Sequence, residues 1–225
     1  DIESLLYSDK RKVMTGVLYY ADKRGYHFFD KERAALQAEF EKKFPGLEVG
    51  ISSSNRDETV YIIRTYSDKT PGAYYVYDTA DKSFTLLADV APWIDSAKMA
   101  SMQPIHYKSS DGLTIHGYLT VPVGEKAKNL PVVVNPHGGP WARDYWGYNP
   151  EVQFLANRGY AVLQMNFRSS TGYGKEFWTK GFKQWGKKMQ DDITDGVQWL
   201  ISQGIADPKR IAIYGGSYGG YATLA

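Results

Sequence analysis

The pattern of hydrophobic and polar positions in the first 97 residues is typical of short β-strands separated by polar turns. Apolar and aromatic runs from residue 47 onward are divided by segments rich in the turn-forming residues Asp, Asn, Pro and Gly. These runs predict strands at residues 48–52, 60–66, 73–77 and 84–87. Four strands within about 40 residues have the size and spacing of one β-propeller blade. A small antiparallel sheet is the alternative.

Two aromatic runs lie upstream of that pattern, at residues 18–20 and 26–29. They flank the turn-forming segment 22–25, which predicts a β-hairpin. Residues 34–44 have a helix-forming composition, and we expect either a short helix or an insertion between strands. Only one and a half to two blades fit into this length, so a closed propeller would need further sequence upstream.

Beyond residue 98 the hydrophobic period changes. Two strands are predicted at residues 103–107 and 113–121, and three short apolar runs predict buried strands at 131–135, 160–165 and 210–214. Asn149 and Pro150 provide a cap and a first turn for a helix that Gly159 closes. A second helix, ended by Gly204, is predicted by apolar residues at every fourth position: Trp185, Met189, Ile193, Val197 and Ile201. Alternating strands and helices predict an α/β layer with right-handed crossovers.

Composition bounds the function classes. The chain has 225 residues, of which 43% are hydrophobic and 23% charged, with a net charge of +2. These values exclude wholesale disorder and fibrous classes, and they give no argument for a nucleic-acid partner. No apolar run approaches the ~18 residues of a membrane span. The absence of cysteine excludes disulfides and thiolate nucleophiles, but it leaves a cytoplasmic or periplasmic location open, as it does the oligomeric state.

The main chemical signal is a G-x-S-x-G pattern centred on Ser217, directly after a predicted strand and before a predicted helix. A serine at such a sharp turn has a strained backbone and an exposed hydroxyl, as a nucleophile requires. Gly215 and Gly219 supply the small residues that the turn needs. Because the chain stops at Ala225, just inside this helix, we expect it to be a fragment of a longer protein.

The second signal is the sequence His137-Gly138-Gly139-Pro140 at the end of a predicted strand. Acyl transfer needs N–H donors aimed at the oxygen that becomes negative in the tetrahedral intermediate. The amide of Tyr218, the residue after the nucleophile, is one expected donor. Gly139 is the expected second donor, with Gly138 as the next candidate, while His137 is expected to be structural because it starts this loop.

Other polar residues carry weaker signals. Arg168, in the loop after the second buried strand, is a candidate substrate-binding residue, and bracing of neighbouring loops is its alternative role. Asp191 and Asp192 are expected to be structural, because adjacent residues of a helix point about 100° apart. The remaining histidines lie in predicted strands without partners at ligand spacing: His27, His106 and His116. No metal-binding or phosphate-binding motif is found.

Several of these segments together resemble the prolyl oligopeptidase family of serine peptidases. The segments, in chain order, are His137-Gly138-Gly139-Pro140, Asn166-x-Arg168-x-Ser170-x-Gly172-Tyr173-Gly174, Asp192-x-x-Asp195-Gly196, and Asp207-Pro208-x-Arg210 leading to Gly215-Gly216-Ser217-Tyr218-Gly219-Gly220. The His-Gly-Gly-Pro loop is most similar to the acylaminoacyl-peptidase branch, because the dipeptidyl-peptidase IV type has a tyrosine in that loop. One departure is Ser169, where the family commonly has glycine.

The resemblance implies an α/β-hydrolase domain capped by a β-propeller. Residues 1–97 would then be the C-terminal part of the propeller, and residues 98–225 the N-terminal part of the hydrolase domain. It implies Ser217 as nucleophile, oxyanion amides from Gly139 and Tyr218, and a Tyr218 ring that lines the pocket for the residue before the cut bond. The triad Asp and His would follow residue 225, since the fold orders them after the serine.

The expected function is therefore a serine peptidase that hydrolyses short peptides through an acyl-enzyme on Ser217. No metal or organic cofactor is implied. The segment alone is expected to be nearly inactive and poorly folded, since it would lack the base and part of its sheet. The alternatives are an esterase of the same fold, and a propeller-based binding protein with a silent hydrolase.

Overall fold

A computed structural model describes all residues from 1 to 225, which divide into two compact units, 1–97 and 98–225. In the first unit, three strands form an antiparallel sheet in the order β1-β2-β3. Four further strands form an antiparallel meander in the order β4-β5-β6-β7. The seven strands are β1 (Ile2–Ser8), β2 (Val13–Tyr20), β3 (Arg24–Phe28), β4 (Glu48–Ser54), β5 (Val60–Tyr66), β6 (Ala73–Asp78) and β7 (Ser83–Asp89). The four strands predicted for the meander are confirmed.

A helix, α1 (Lys31–Lys43), joins the two sheets of this unit in sequence. It starts where the Asp30 side chain accepts a hydrogen bond from the Arg33 amide, an N-cap that supplies one of the otherwise unpaired donors. Phe40 is fully buried and packs edge-on against Tyr77, at 5.0 Å between ring centroids. The open choice between helix and insertion for residues 34–44 is therefore resolved as a helix. Strand β1 was not predicted, because much of it is exposed and it shows no alternation.

The second unit contains a five-stranded mixed sheet in the order β12-β10-β11-β9-β8. Strand β10 is parallel to both β11 and β12, whereas β9 is antiparallel to β11 and to β8. The strands are β8 (Met102–Lys108), β9 (Thr114–Thr120), β10 (Leu130–Val134), β11 (Ala161–Asn166) and β12 (Ala206–Ile213). Every residue of the central strand β11 is buried, including its two polar residues, Gln164 and Asn166.

Four helices accompany this sheet: α2 (Pro150–Ala156), α3 (Gly174–Thr179), α4 (Lys188–Ser202) and α5 (Tyr218–Leu224). Helix α2 begins as predicted, with Asn149 as the cap and proline in the first turn. The predicted start of α4 was wrong. Trp185 lies before the helix and is 54% exposed. The buried face of α4 is formed instead by Met189, Asp192, Ile193, Gly196 and Leu200.

Strand β12 begins four residues earlier than predicted, at Ala206. Its pairing with β10 shifts register between Leu130 and Val132, and this irregularity accommodates Pro208, which has no N–H to donate. The three parallel strands end at the same edge of the sheet, so the segments that follow them lie close together. None of the helices has the length and apolar character needed to cross a membrane.

Candidate active site

Ser217 lies in a sharp turn between β12 and α5. Its backbone has φ 55° and ψ −122°, a conformation that residues with a Cβ seldom adopt. The residue is exposed, while Tyr218 directly after it is buried. A strained turn that presents a serine hydroxyl to the outside is the arrangement that the sequence motif predicts for a nucleophile.

Two glycines of the motif are required by close backbone contacts. A Cβ on Gly219 would lie 2.1 Å from the carbonyl oxygen of Pro136, at the end of β10. A Cβ on Gly215 would lie 2.7 Å from the backbone of Gly219. No such obstacle exists at Gly216, where a Cβ would meet nothing within 4 Å. The turn thus packs directly onto the strand end that leads into residues 137–140, which we call the His-Gly-Gly-Pro loop.

The His-Gly-Gly-Pro loop borders the serine. A Cβ on Gly138 would lie 3.3 Å from the Ser217 Cβ and 3.8 Å from its Oγ. Gly139 has φ +126°, and a Cβ there would lie 2.7 Å from the Trp141 amide nitrogen. Position 139 therefore needs glycine for its backbone conformation, whereas a side chain at position 138 would make a tight contact with the serine. This geometry keeps the two residues as candidates for the second oxyanion donor.

His137 is held away from the serine by its own hydrogen bonds. Its Nδ1 lies 2.7 Å from the Gly138 carbonyl oxygen and its Nε2 lies 2.8 Å from Ser170 Oγ. The ring stacks on Phe167 at 4.3 Å between centroids. Burial lowers the pKa of His137 to about 4, so the ring is neutral near pH 7. Both ring nitrogens thus have partners within the surrounding fold, which is a structural arrangement.

Arg168 is buried in a network of carboxylates. Its Nε and one Nη donate to the two oxygens of Asp192 at 2.9 and 2.7 Å. The guanidinium also donates to both oxygens of Asp111 at 2.7 and 3.0 Å. Its side chain is only 4% exposed. Because all three guanidinium nitrogens are engaged, the geometry favours loop bracing over the substrate-binding role, and we do not retain Arg168 as a substrate ligand.

The two carboxylates of this network respond differently to their surroundings. The hydrogen bond from Arg168 lowers the pKa of Asp111 to about 2. Burial raises the pKa of Asp192, since its side chain is fully buried, while hydrogen bonds from Arg168 oppose that effect. Burial alone would lower the pKa of Arg168, but the bonds to both carboxylates outweigh it and the net direction is upward. Arg168 therefore stays charged.

Aromatic side chains surround Tyr218. Its ring is 4% exposed and lies 5.3 Å from Phe167, 5.1 Å from Trp185 and 5.6 Å from Tyr221, measured between centroids. Burial raises the pKa of its hydroxyl to about 12. The ring thus packs against neighbouring side chains instead of forming an open pocket wall. The substrate-binding role expected for the ring is corrected accordingly, and only its backbone amide remains a candidate for the site.

A second aromatic group was missed by the sequence reasoning. Trp141, immediately after the His-Gly-Gly-Pro loop, is 61% exposed and lies 5.9 Å from Trp178, centroid to centroid. Phe182 completes the group, 4.8 Å from Trp178 and 45% exposed. Exposed aromatic clusters of this kind are enriched where partners or ligands bind. The available signal was the tryptophan that directly follows Pro140.

The other two histidines of the second unit lie on the strands of its sheet that are farthest from β12, the strand that leads to Ser217. His106 and His116 are paired across β8 and β9, with 6.3 Å between their ring centroids. His27 lies in β3 of the first unit. As His137 Nε2 bonds to Ser170, the second unit places no histidine in position to act as a base for Ser217.

Comparison with known proteins identifies the relatives of the chain. Residues 146–225 match the model of the Prolyl oligopeptidase family. The chain is 41% identical over 200 residues to dipeptidyl aminopeptidase BIII of Pseudoxanthomonas mexicana. The matched region covers 84% of this chain and 29% of that protein. The chain therefore spans less than a third of the length of this curated relative.

Solved structures give the same result. A Mycobacterium tuberculosis puromycin-hydrolyzing peptidase matches with a TM-score of 0.73 and 26% identity, over 97% of this chain and 34% of that one. An acylaminoacyl peptidase in complex with Z-Gly-Gly-Phe-chloromethyl ketone matches with a TM-score of 0.62 and 28% identity, over 77% of this chain and 27% of that one. The resemblance inferred from the motifs is confirmed.

Proposed function

We propose that this chain, which belongs to the prolyl oligopeptidase family, is the nucleophile-bearing segment of a serine peptidase that hydrolyses peptide bonds in short peptides. The observation that carries the proposal is Ser217, exposed in a strained turn and bordered by Gly138. The names of the similar proteins support a peptide substrate: a dipeptidyl aminopeptidase, a puromycin-hydrolyzing peptidase and an acylaminoacyl peptidase with a peptidic chloromethyl ketone.

In the proposed reaction, Ser217 Oγ attacks the carbonyl carbon of the scissile peptide bond. A base removes the hydroxyl proton and returns it to the leaving amine, and water then hydrolyses the acyl-enzyme. The negative oxygen of the tetrahedral intermediate accepts hydrogen bonds from the amides of Tyr218 and Gly139, with Gly138 as the alternative second donor. Removal of one such donor typically lowers turnover by ~10²–10³.

The acid and base of the triad are proposed to lie in sequence after Ala225, in the order Asp then His. Support comes from the histidines of the second unit, which are engaged elsewhere, and from the relative, which is more than three times as long as the matched part. On this proposal the 225 residues alone would retain only the small acceleration that comes from binding and the oxyanion site.

The proposed domain organisation follows the same family. The first unit, residues 1–97, would be the last part of a β-propeller, and its meander β4–β7 has the four antiparallel strands of one blade. The second unit, residues 98–225, would be the first part of an α/β-hydrolase domain. Its sheet has parallel strands β10, β11 and β12 leading to the nucleophile turn.

The test is labelling of the full-length protein with a fluorophosphonate, which reacts with activated serines. We expect stoichiometric labelling of the parent and none of Ser217→Ala. Ser202→Ala is the matched control, because Ser202 is an exposed serine at the end of α4 whose hydroxyl contacts only the Trp199 carbonyl. Equal labelling of the parent and Ser217→Ala would contradict the proposal, and a lack of labelling in all proteins would favour a silent binding protein.

Substrate class is tested in the same preparation. A dipeptidyl anilide and an acylaminoacyl anilide represent the activities named for the similar proteins. A short-chain p-nitrophenyl ester represents the esterase alternative. We expect a higher kcat/KM for at least one of the anilides than for the ester after correction for intrinsic reactivity. A preference for the ester would instead support an esterase of the same fold.

A further inference from the structure

One buried carboxyl group has no part in the proposed reaction. Asp144 lies four residues after Pro140, on the segment that leaves the His-Gly-Gly-Pro loop. Its Oδ1 accepts a hydrogen bond of 2.9 Å from Gln164 Nε2 on β11. Its Oδ2 is buried and has no hydrogen-bond partner, and the same is true of Gln164 Oε1. Two bonded side chains therefore each keep one buried, unpaired oxygen.

The chemistry of these two groups explains both unpaired atoms together. An ionised carboxylate and an amide oxygen are both acceptors, so they cannot satisfy each other. A protonated carboxyl group has a donor beside an acceptor, and so has a primary amide. We propose that Asp144 carries a proton on Oδ2 and donates it to Gln164 Oε1, forming a doubly hydrogen-bonded acid–amide pair that positions the His-Gly-Gly-Pro loop. The loop's role rests on the function proposed above.

The electrostatics of the site agree with a bound proton. Burial raises the pKa of Asp144 from its ordinary value of 3.8 to about 7, while the bond from Gln164 and the nearby charge of Arg143 act in the opposite direction. Gln164 is only 2% exposed, so water cannot replace the missing partner of its oxygen. A neutral carboxyl group avoids a charge in this setting.

The charged and titratable groups near the Asp144–Gln164 pair are the Arg143 guanidinium and two tyrosine hydroxyls that it contacts. Arg143, adjacent in sequence, donates to the Asp144 carbonyl oxygen at 3.1 Å and to the hydroxyl of Tyr173 at 2.9 Å. It also contacts the hydroxyl of Tyr118, which lies opposite Gln164 in the register of β9 with β11. These bonds go to groups other than the Asp144 carboxylate, and the Arg143 charge lowers the pKa of Asp144 by less than burial raises it.

His116 is the remaining titratable group on the neighbouring strand. It lies opposite Asn166 in the register of β9 with β11, and it stacks on the ring of Tyr173 at 5.2 Å. Its ring therefore contacts Tyr173 and not the Asp144–Gln164 pair. The test below separates the two groups, because it compares variants that change Asp144 and leave His116 intact.

The pair can position the loop because the same segment is tied to the end of β11 by its backbone. The Asp144 amide donates to Asn166 Oδ1 at 2.7 Å, and the Asp144 carbonyl accepts from Asn166 Nδ2 at 3.1 Å. Two residues earlier, the Ala142 carbonyl accepts from the Thr171 amide at 2.9 Å. Loss of the proton would leave a charge facing an amide oxygen beside these bonds and would loosen the loop that carries the oxyanion glycines.

The sign of the pH dependence follows from the raised pKa. The folded protein keeps the proton up to about pH 7, whereas the unfolded chain releases it near its ordinary value of 3.8. Between these values the unfolded state binds fewer protons, so stability falls as pH rises, by up to about tenfold in the unfolding constant per pH unit. Above pH 7 the folded state itself loses the proton, and activity is then expected to fall.

The decisive variant is Asp144→Asn in the full-length protein. Asparagine has the same shape and supplies a permanent N–H for Gln164 Oε1, so the pair persists without a titrating proton. We expect kcat/KM of the parent to decline above about pH 7, by up to about tenfold per pH unit, and this decline to be absent in Asp144→Asn. The unfolding constants of the two proteins should diverge between pH 4 and pH 7, with the parent losing stability.

A second substitution and a spectroscopic measurement complete the test. Gln164→Met removes the acceptor, and we expect it to weaken the loop at all pH values without restoring the alkaline activity. Infrared spectroscopy with isotope-labelled aspartate should show a protonated carboxyl band at pH 6 in the parent that Asp144→Asn lacks.

Three results would overturn the proposal: identical alkaline decline in the parent and Asp144→Asn, parallel stability curves between pH 4 and pH 7, or failure of Asp144→Asn to fold. If the protein has no peptidase activity at all, the stability curves and the infrared band still decide whether Asp144 is protonated.

Discussion

A methyl group at position 219 tests whether the nucleophile turn depends on close packing against β10. In Gly219→Ala, the new Cβ would lie 2.1 Å from the Pro136 carbonyl oxygen and 3.1 Å from its carbonyl carbon. Ordinary contacts between such atoms are about 3.5 Å, so the turn and the strand end must separate by roughly 1 Å. Alanine is otherwise a better helix former than glycine, so the expected damage comes from this contact alone.

The expected loss of activity follows from what moves. Pro136 immediately precedes the His-Gly-Gly-Pro loop, and Gly219 is two residues after the nucleophile. A misplacement of about 1 Å costs on the order of 10²-fold in rate, and loss of one oxyanion donor costs ~10²–10³. We therefore expect kcat/KM of Gly219→Ala to fall by at least about 10²-fold.

Gly216→Ala is the matched control, because a Cβ there meets nothing within 4 Å. Changes at unpacked positions usually alter free energies by no more than ~0.5 kcal/mol, so we expect its kcat/KM to stay within about threefold of the parent. The assays are anilide hydrolysis, the rate of fluorophosphonate labelling and thermal unfolding of the full-length proteins. A folded Gly219→Ala protein with activity close to that of the parent would refute the packing argument.

Three further outcomes are expected in the full-length protein. Arg168→Ala should destabilise the fold by about 3–5 kcal/mol in chemical denaturation, because it leaves the Asp192 carboxylate buried without its partner; a changed KM at unchanged stability would instead indicate substrate binding. Ser169 has φ 83°, a conformation that glycine adopts without strain. Both Ser169→Gly and Ser169→Ala lose the hydrogen bond to the Trp178 carbonyl, but only alanine keeps the strained backbone, so the glycine variant should be more stable by about 1 kcal/mol. Equal melting temperatures of the two variants would contradict this. The pKa of Asp111 is lowered to about 2, so its contribution to stability is present above pH 4 and is lost as pH falls towards 2. Asp111→Asn should therefore flatten this part of the acid unfolding curve. Parallel curves for the variant and the parent would show that the ion pair contributes nothing to stability.

The features that could be predicted from the sequence are those with a local cause. The strands β4 to β7 follow from turn residues that bound short apolar runs, and the cap at Asn149 places the start of α2. The turn at Ser217 is also local, because two glycines and a following helix are sufficient to indicate it. Position 169 also has a local cause. The resembled family commonly has glycine there, and Ser169 has the positive φ of 83° that glycine adopts most easily.

The features that could not be predicted depend on partners far apart in sequence. Arg168 binds Asp111, 57 residues earlier, and Asp192, 24 residues later. No spacing rule relates these positions, so the sequence left both bracing and substrate binding open for Arg168. The predicted start of α4 at Trp185 was wrong for a similar reason. Regular spacing of apolar residues shows where a helix could lie, but the start of the helix depends on how it packs.

The parallel strands explain why these distant partners meet beside the serine. Strands β10, β11 and β12 run in one direction, so the loops that follow them reach the same edge of the sheet. The loop after β10 carries Gly138 and Gly139, the glycines proposed as oxyanion donors, and the loop after β12 carries Ser217. The loop after β11 carries polar groups that are bonded to buried partners. Asn166 and Arg168, at and just after the end of β11, bind the turn between β8 and β9, helix α4 and the segment that follows the His-Gly-Gly-Pro loop. These two side chains are therefore held by partners within the fold, whereas Ser217 at the same edge is exposed, as the proposed nucleophile role requires.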